Sequence, residues 1–308
     1  MSAVAASLLP KPFLAFLRKI HGPRLQQWIF GLWTVGVFAF LYIPILLLIV
    51  FSFNESKLGL EWTGFTWDWY KELFANEVLI DRFRTSMVVA VITTVLSTAL
   101  GTIGAWLMYR YHFPFRRVIG LLIFIPMVIP EVLMGVSLMI VFNTVVQLFH
   151  IPIDIGFLKE LAGTAGIDLG SSEYFLGELG YMTVIIGHTT FCFPFVLVGV
   201  QARLQGIDPF LEEAAMDLGA TPIQAFWKVI VPYLMPAIIA GALMSFTLSF
   251  DEYIVTVFTA GAGSQTLPLQ VYGMARKGLD PQLNALSALF VLGTIILVLF
   301  SELIKKRT

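Results

Sequence analysis

Charge is what this sequence has least of. Only 13% of its 308 residues are Asp, Glu, Lys or Arg, 58% are apolar, and the mean hydropathy is +0.85. A soluble domain carries about a quarter of its residues as charges, so the solvent of this chain is lipid. A net charge of −1, with no basic patch interleaved with aromatics, implies no nucleic-acid partner. There is one cysteine, Cys192, which excludes an internal disulfide and any multi-cysteine metal site. It stands in an apolar run, where a buried, inert thiol is expected. The four histidines, His21, His112, His150 and His188, lack metal-ligand spacing, so no metal is expected. His188 lies in an apolar run and reads as a hydrogen-bonded packing residue. No G-x-x-x-x-G-K-[ST] sequence is present, so the chain has no phosphate-cradling loop of its own and any ATP hydrolysis belongs to another polypeptide. No nucleophile–base constellation supports an enzyme, and no catalytic residue is assigned. Period-2 alternation is not sustained, which excludes a β-barrel. The apolar segments show no duplicated halves, which argues against a secondary transporter built on repeats.

What is there is a series of long apolar runs. A helix needs about 20 apolar residues to cross a bilayer. Six runs qualify, near 28–53, 85–109, 118–148, 180–202, 232–258 and 282–303. The expected fold is therefore all-α, a polytopic transmembrane helix bundle of six spans. Lys and Arg orient it. With the N-terminus in the cytoplasm, twelve fall in inside segments and seven in outside segments, so both termini are expected to be cytoplasmic. Residues 1–27 form an N-terminal cytoplasmic or interfacial segment. Phe13, Leu14, Leu17 and Ile20 recur there at helical spacing beside Lys11, Arg18 and Lys19, the pattern of a helix lying on the inner membrane surface. Residues 28–304 form a single transmembrane domain, with a cytoplasmic loop at 203–228. The run at Trp28–Phe53 is too long for a signal-peptide core and reads as an uncleaved first span. The outside segment after it holds Trp62, Phe65, Trp67, Trp69, Tyr70 and Phe74, either an interfacial belt or a lid over a solute path. The outside loop at 154–180 is long enough to be functional or mobile.

Apart from Glu302 at the very end of the sixth run, three acids stand inside the apolar runs. Glu131 follows Pro126 and Pro130 in the third, and Asp251 and Glu252 lie in the fifth. A carboxylate at bilayer depth costs roughly 2.5–3.5 kcal/mol on insertion scales and usually faces a cavity or a partner. No Lys or Arg lies in any of the six runs to neutralise them, so the missing countercharge is open to a substrate cation. At a rise of about 1.5 Å per residue, Glu131 is roughly 20 Å and Asp251 roughly 22 Å from the cytoplasmic side of a straight span. Phe191, Phe193 and Tyr253 either offer ring faces to an ammonium group or serve as packing. Glu131 has a second reading as the cap of a helix broken at Pro130. Asp251 and Glu252 have a second reading as carboxylates in water at the outer surface.

The loop at 203–228 carries the most specific motif. Glu213-Ala214-Ala215-Met216-Asp217-Leu218-Gly219 is followed by Val229-Ile230-Val231-Pro232. Two small residues let a helix sit close against a partner, and a glycine permits the turn that ends it. This pattern resembles the cytoplasmic loop by which the permease subunit of a bacterial ABC importer docks on its ATPase. The likeness extends further, to the spermidine/putrescine permease family. Ser52-Phe53-Asn54 with Trp67, Trp69, Tyr70, Glu72 and Leu73 carries it, as do Ile129-Pro130-Glu131-Val132 and His188, Thr190, Phe191 and Cys192. So do Glu212 to Thr221, Phe246 to Glu252, Thr266-Leu267-Pro268-Leu269 and Asn284-Ala285-Leu286. Two features depart from that pattern: Glu252 stands where Asp is expected, and the 154–180 loop is long.

The resemblance implies a type I ABC importer permease fold in the bacterial inner membrane. It implies a partner ATPase dimer that binds ATP and Mg²⁺, no cofactor in this chain, a second and different permease subunit, and a periplasmic substrate-binding protein. Docking would use the helix at 212–219, with Glu213, Ala214, Ala215 and Gly219 as its coupling residues. Glu131, Asp251, Glu252, Phe191, Phe193 and Tyr253 would line the path of a small organic cation. Two alternatives stay open. One is the same architecture importing ferric ion, a phosphonate or sulfate. The other is a channel or membrane scaffold without an ATPase.

Overall fold

The computed structural model describes residues 23–57, 61–149, 152–154, 160, 163, 173–175, 179–208, 210–278 and 280–305. The surface helix expected near residues 11–20 and most of the 154–180 loop lie outside them. The described chain is helical apart from one antiparallel pair of three-residue strands, β1 (Pro152–Asp154) and β2 (Glu173–Phe175). It divides into two compact units. One holds the described residues up to Ala75 and from Gly278 onward, and the other is Asn76–Lys277.

The first unit contains α1 (Pro23–Phe51), α2 (Asp68–Ala75) and α12 (Pro281–Lys305). Trp28, Leu32, Trp33 and Phe40 of α1 are each more than 70% exposed. A helix apolar on every face, and covered by its own chain only in part through α12, is suited to lipid. Past Phe51 the chain turns over a packed cap centred on Asn54, whose side chain is fully buried. Its Oδ1 accepts from Thr63 N at 3.0 Å and its Nδ2 donates to Glu61 O at 2.7 Å, while Trp69 Nε1 donates to Asn54 O at 2.7 Å. The rings of Phe53, Phe65, Trp67 and Tyr70 pack on one another with centroids 4.9–5.7 Å apart, Phe53 and Phe65 stacked and the other pairs edge-on or tilted. The aromatic segment expected as a belt or a lid is thus a self-packed cluster in which Trp69 is buried and Trp62, Phe65, Trp67 and Phe74 stay exposed.

The second unit is built on α3 (Glu77–Arg110), α6 (Tyr181–Leu204) and α9 (Val231–Asp251), which pack on one another. Helix α3 begins eight residues before the expected span. Asn76 caps it by accepting from Leu79 N at 3.3 Å. Close approach of α3 and α6 depends on Gly101: a Cβ there would meet Val196 Cβ at 2.7 Å and Leu197 N at 2.9 Å. Fully buried Val196, Val200, Leu204 and Leu234 form the core at one end of these helices, and Val89, Val184 and Ile185 form a second cluster.

Two expected spans are not straight helices. The run at 118–148 is two helices, α4 (Arg116–Val128) and α5 (Glu131–Phe149), bent by 110°. Pro130 has no N–H to continue α4 and forces Ile129 out of the helical region, to φ −68 and ψ 135. Its carbonyl then accepts from Leu133 N at 2.9 Å and starts α5. The straight-span depth for Glu131 therefore does not hold, because that residue follows the bend. The run at 232–258 is likewise interrupted: α9 ends at Asp251, and a short helix, α10 (Ile254–Thr259), follows Glu252 and Tyr253. Here the cause is polar. Glu252 leaves the helix at ψ 114 and its Oε1 accepts from Val255 N at 2.8 Å, capping α10. Helix α10 packs against α5 and α6, and Gly135 of α5 lies so near the Phe258 ring that a Cβ would meet it at 2.5 Å. A further helix, α11 (Leu267–Lys277), completes the unit.

Among the described residues, four helices are long and apolar enough to cross a membrane: Gln27–Phe51, Glu77–Arg110, Tyr181–Leu204 and Pro222–Asp251. The bent pair α4–α5 makes a fifth if it counts as one span, and Pro281–Ile296 is a shorter apolar stretch.

Candidate functional site

Two places carry the residues singled out from sequence. The first is the segment after α6. Helix α7 (Phe210–Asp217) is closed by a pair of backbone bonds, Gly219 N to Met216 O at 2.9 Å and Ala220 N to Ala215 O at 3.1 Å. That pair is the Schellman closure, which requires a left-handed residue just past the helix. Gly219 supplies it at φ +91. The next turn, α8 (Pro222–Ala225), is opened by Thr221 and Gln224. Each side chain bonds the other's backbone N–H, at 3.3 and 3.0 Å. A π-helical turn, Phe226–Ile230, leads into α9.

The faces of α7 divide its two glutamates. Glu212 is buried and accepts a 3.0 Å hydrogen bond from Arg110 Nε at the end of α3. Glu213 and Ala214 are exposed, and Ala215 is half-buried. Around them stand Phe210, Leu218, Ile223 and Trp227, with Leu218 90% exposed. Exposed apolar side chains grouped on one segment mark a surface that another body covers. The pattern in sequence pointed to Glu213. The anchoring role of Glu212 has no local signal, because its partner lies 102 residues away.

The second place is where the two interrupted spans meet. Glu131 opens α5 and is exposed, Asp251 closes α9 and is exposed, and Glu252 in the break is buried. Helix α10, which Glu252 caps, packs against α5, which Glu131 opens, so the two breaks are neighbours. Among the described residues the three do not close into a metal-binding group. One oxygen of Glu252 is taken by Val255 N. Tyr253 is half-buried with its ring 4.5 Å from that of Tyr272 in α11. Phe191 packs in the core with Met134, Cys192 and Val255, beside the break. Phe193 packs instead against the separate cluster around Val196 and Leu234. Positions two apart on a helix do not share a face, so Phe191 packs beside the break and Phe193 does not. Tyr272 was missed from sequence, since a tyrosine two helices downstream carries no motif.

The His188 ring, fully buried in α6, lies 2.9 Å from Ser249 Oγ through Nδ1 and 2.8 Å from Thr256 Oγ1 through Nε2. It is the hydrogen-bonded packing residue expected from sequence, and its partners flank the break between α9 and α10.

Comparisons with known proteins agree with this architecture. A family model described as "Binding-protein-dependent transport system inner membrane component" matches residues 97–308. The spermidine/putrescine transport system permease protein PotC of Haemophilus influenzae is 35% identical over 271 residues, covering 88% of this chain and 94% of that protein. The putrescine transport system permease protein PotI of Escherichia coli K12 is 36% identical over 264 residues, 85% of each chain. Among solved structures, a chain of a bacterial alginate ABC transporter, in complex with an alginate-pentasaccharide-bound periplasmic protein, matches with a TM-score of 0.62. It is 16% identical over 94% of this chain and 96% of that one, a likeness of fold. The chain therefore belongs to the binding-protein-dependent transport system inner membrane components, and it is an inner-membrane permease subunit of an ABC importer rather than an enzyme.

Proposed function

We propose that this permease forms one half of the path by which an ATP-driven importer moves a small organic polycation, putrescine or spermidine. The observation that carries the reading is the packing of α10 on α5, which makes neighbours of the helix breaks that hold Glu131 and Asp251–Glu252, in a chain with no Lys or Arg in any apolar run. A carboxylate–ammonium contact in a partly dry site is a charge-assisted hydrogen bond, stronger than a neutral one. Tyr253, on its Tyr272 partner, and Phe191 add ring surface beside those acids. The relatives named for spermidine and putrescine transport support the same solute.

The chain crosses the membrane six times, within residues 28–304, with both termini in the cytoplasm and residues 1–27 at the inner surface. The bent pair α4–α5 serves as the third span and α12 as the sixth. On the cytoplasmic side, the exposed face of α7 docks on a separate ATPase dimer, which binds ATP and Mg²⁺. Glu213, Ala214 and Ala215 meet the ATPase there, and the turn at Gly219 fixes the end of the helix. A second, different permease supplies the other half of the path, and a periplasmic binding protein delivers the solute. Closure of the ATPases pulls the docking helices together and turns the cavity outward.

The test is uptake of labelled putrescine or spermidine by membrane vesicles bearing the complete system, measured beside binding-protein-stimulated ATP hydrolysis. Asp251→Asn is nearly isosteric and removes only charge. It is expected to lower uptake about tenfold, equivalent to about 1.4 kcal/mol, with ATPase stimulation largely retained. Normal uptake by Glu131→Gln, Asp251→Asn and Glu252→Gln alike would remove the acids from the path. Leaving out the second permease is expected to abolish uptake. Transport by this permease with the ATPase and binding protein alone would make the complex a homodimer.

A further inference from the structure

We infer that His188 is a positioning residue: its ring, bridging Ser249 and Thr256 across the break between α9 and α10, fixes the angle at which the two helices meet and so sets where Asp251 stands.

The proton count on Thr256 assigns the ring's tautomer. The Thr256 hydroxyl has one hydrogen, donated to the Glu252 carbonyl at 2.9 Å. Toward the ring, 2.8 Å away, its oxygen can only accept, so His188 Nε2 carries the hydrogen. On that tautomer Nδ1 accepts from the Ser249 hydroxyl, 2.9 Å away, and the Ser249 backbone also faces the ring. One side chain of α6 therefore grips the last turn of α9 with one nitrogen and the first turn of α10 with the other. All three partners are buried: His188 and Thr256 fully, and Ser249 to 3% exposure.

Leu248 of α9 and Val255 of α10 share an apolar cluster, but two other polar fastenings each hold one side of the break. Thr183 Oγ1 of α6 donates to Thr259 O at 2.6 Å and secures the far end of α10. Glu252 caps the near end of α10 through Val255 N at 2.8 Å. Neither reaches α9. The imidazole joins both arms, so the hydrogen-bonded chain from Ser249 through His188 and Thr256 to the accepting Glu252 carbonyl acts as a single clamp. A buried network of this kind holds one geometry because a half-made version leaves polar groups unpaired in a dry site. The value of that geometry to transport rests on the reading of Asp251 as part of the solute path. The clamp itself does not.

The experiment reads position rather than transport. Asp251→Cys is introduced into the full chain, co-expressed with its complete transport system. The rate at which a membrane-impermeant maleimide modifies residue 251 is then measured in membranes, at matched amounts of assembled complex. Native Cys192 is fully buried and contributes no background. Thr256→Val keeps the shape and deletes the hydroxyl, and Thr256→Ser keeps the hydroxyl. Thr256→Val and Ser249→Ala are each expected to change the modification rate by fivefold or more. Thr256→Ser is expected to stay within twofold of the unsubstituted rate. If Thr256→Val does not assemble, Ser249→Ala and His188→Gln carry the same measurement. An unchanged rate in the hydroxyl-deleting variants that assemble overturns the clamp. A Thr256→Ser rate matching that of Thr256→Val also overturns it, since volume and not the hydroxyl would then matter. A shifted rate, found beside a complex with native Asp251 that imports no polyamine, would leave the clamp standing and remove the polyamine reading.

Discussion

Arg110 Nε donates to Glu212 Oε1 across 3.0 Å, joining the last residue of the 34-residue helix α3 to the short helix α7. The Glu212 side chain is 10% exposed and that of Arg110 38%, so the pair is sheltered on one side and open on the other. Helix α7 has eight residues, too few to hold its place by itself. The ion pair therefore ties α7, the proposed docking surface, to a long apolar helix, and offers a route by which movement of α7 would reach it.

Breaking the pair from either side is expected to loosen α7. A hydrogen bond to a charged group contributes about 1.5–3 kcal/mol. Glu212→Ala and Arg110→Ala are each expected to raise protease cleavage within 203–228 and to lower solute moved per ATP hydrolysed. The reversed pair, Arg110→Glu with Glu212→Arg, is expected to recover at least part of both. Single variants with native cleavage and native coupling would show that the pair is dispensable.

Gly219 separates backbone strain from crowding. A Cβ there would meet nothing within 4 Å, yet the residue sits at φ +91. A left-handed conformation costs an ordinary L-residue about 1–2 kcal/mol, and asparagine bears it better than most. Gly219→Val is expected to abolish transport while the protein still inserts, and Gly219→Asn is expected to keep most of it. Wild-type transport by the valine variant would mean that docking does not need this turn.

Gly101 and Gly199 make opposite predictions about α3 and α6. Overpacking a filled interface costs about 1–3 kcal/mol, and Gly101 faces Val196 and the Leu197 backbone closer than any Cβ tolerates. Gly101→Val is expected to lower the melting temperature of the purified protein in detergent. Gly199 has open space around it. Gly199→Ala is expected to leave stability unchanged or raise it, because alanine is the better helix former by about 1 kcal/mol. Equal melting temperatures for Gly101→Val and the unsubstituted protein would contradict the packing described for α3 and α6.

The sequence by itself determined what depends on neighbours along the chain. Scarce charge and long apolar runs select a membrane helix bundle, because lipid cannot hydrate a polar backbone. The turn at Gly219 was legible for the same local reason, since a glycine there can take the left-handed conformation that ends α7. Pro130 marked a possible break, but the 110° bend it makes depends on how α5 packs on α10 through Gly135 and Phe258. The second break had no proline to announce it. It appears where Glu252 turns back to cap α10 and where His188, more than sixty residues earlier, holds both arms. Tertiary structure also decided that Glu212 turns inward to Arg110 while Glu213 stays exposed, and that Phe191 packs beside the second break while Phe193 joins a separate cluster. Helical periodicity states which residues share a face. Which face meets which partner is settled only when distant helices pack and their buried polar groups must find one another.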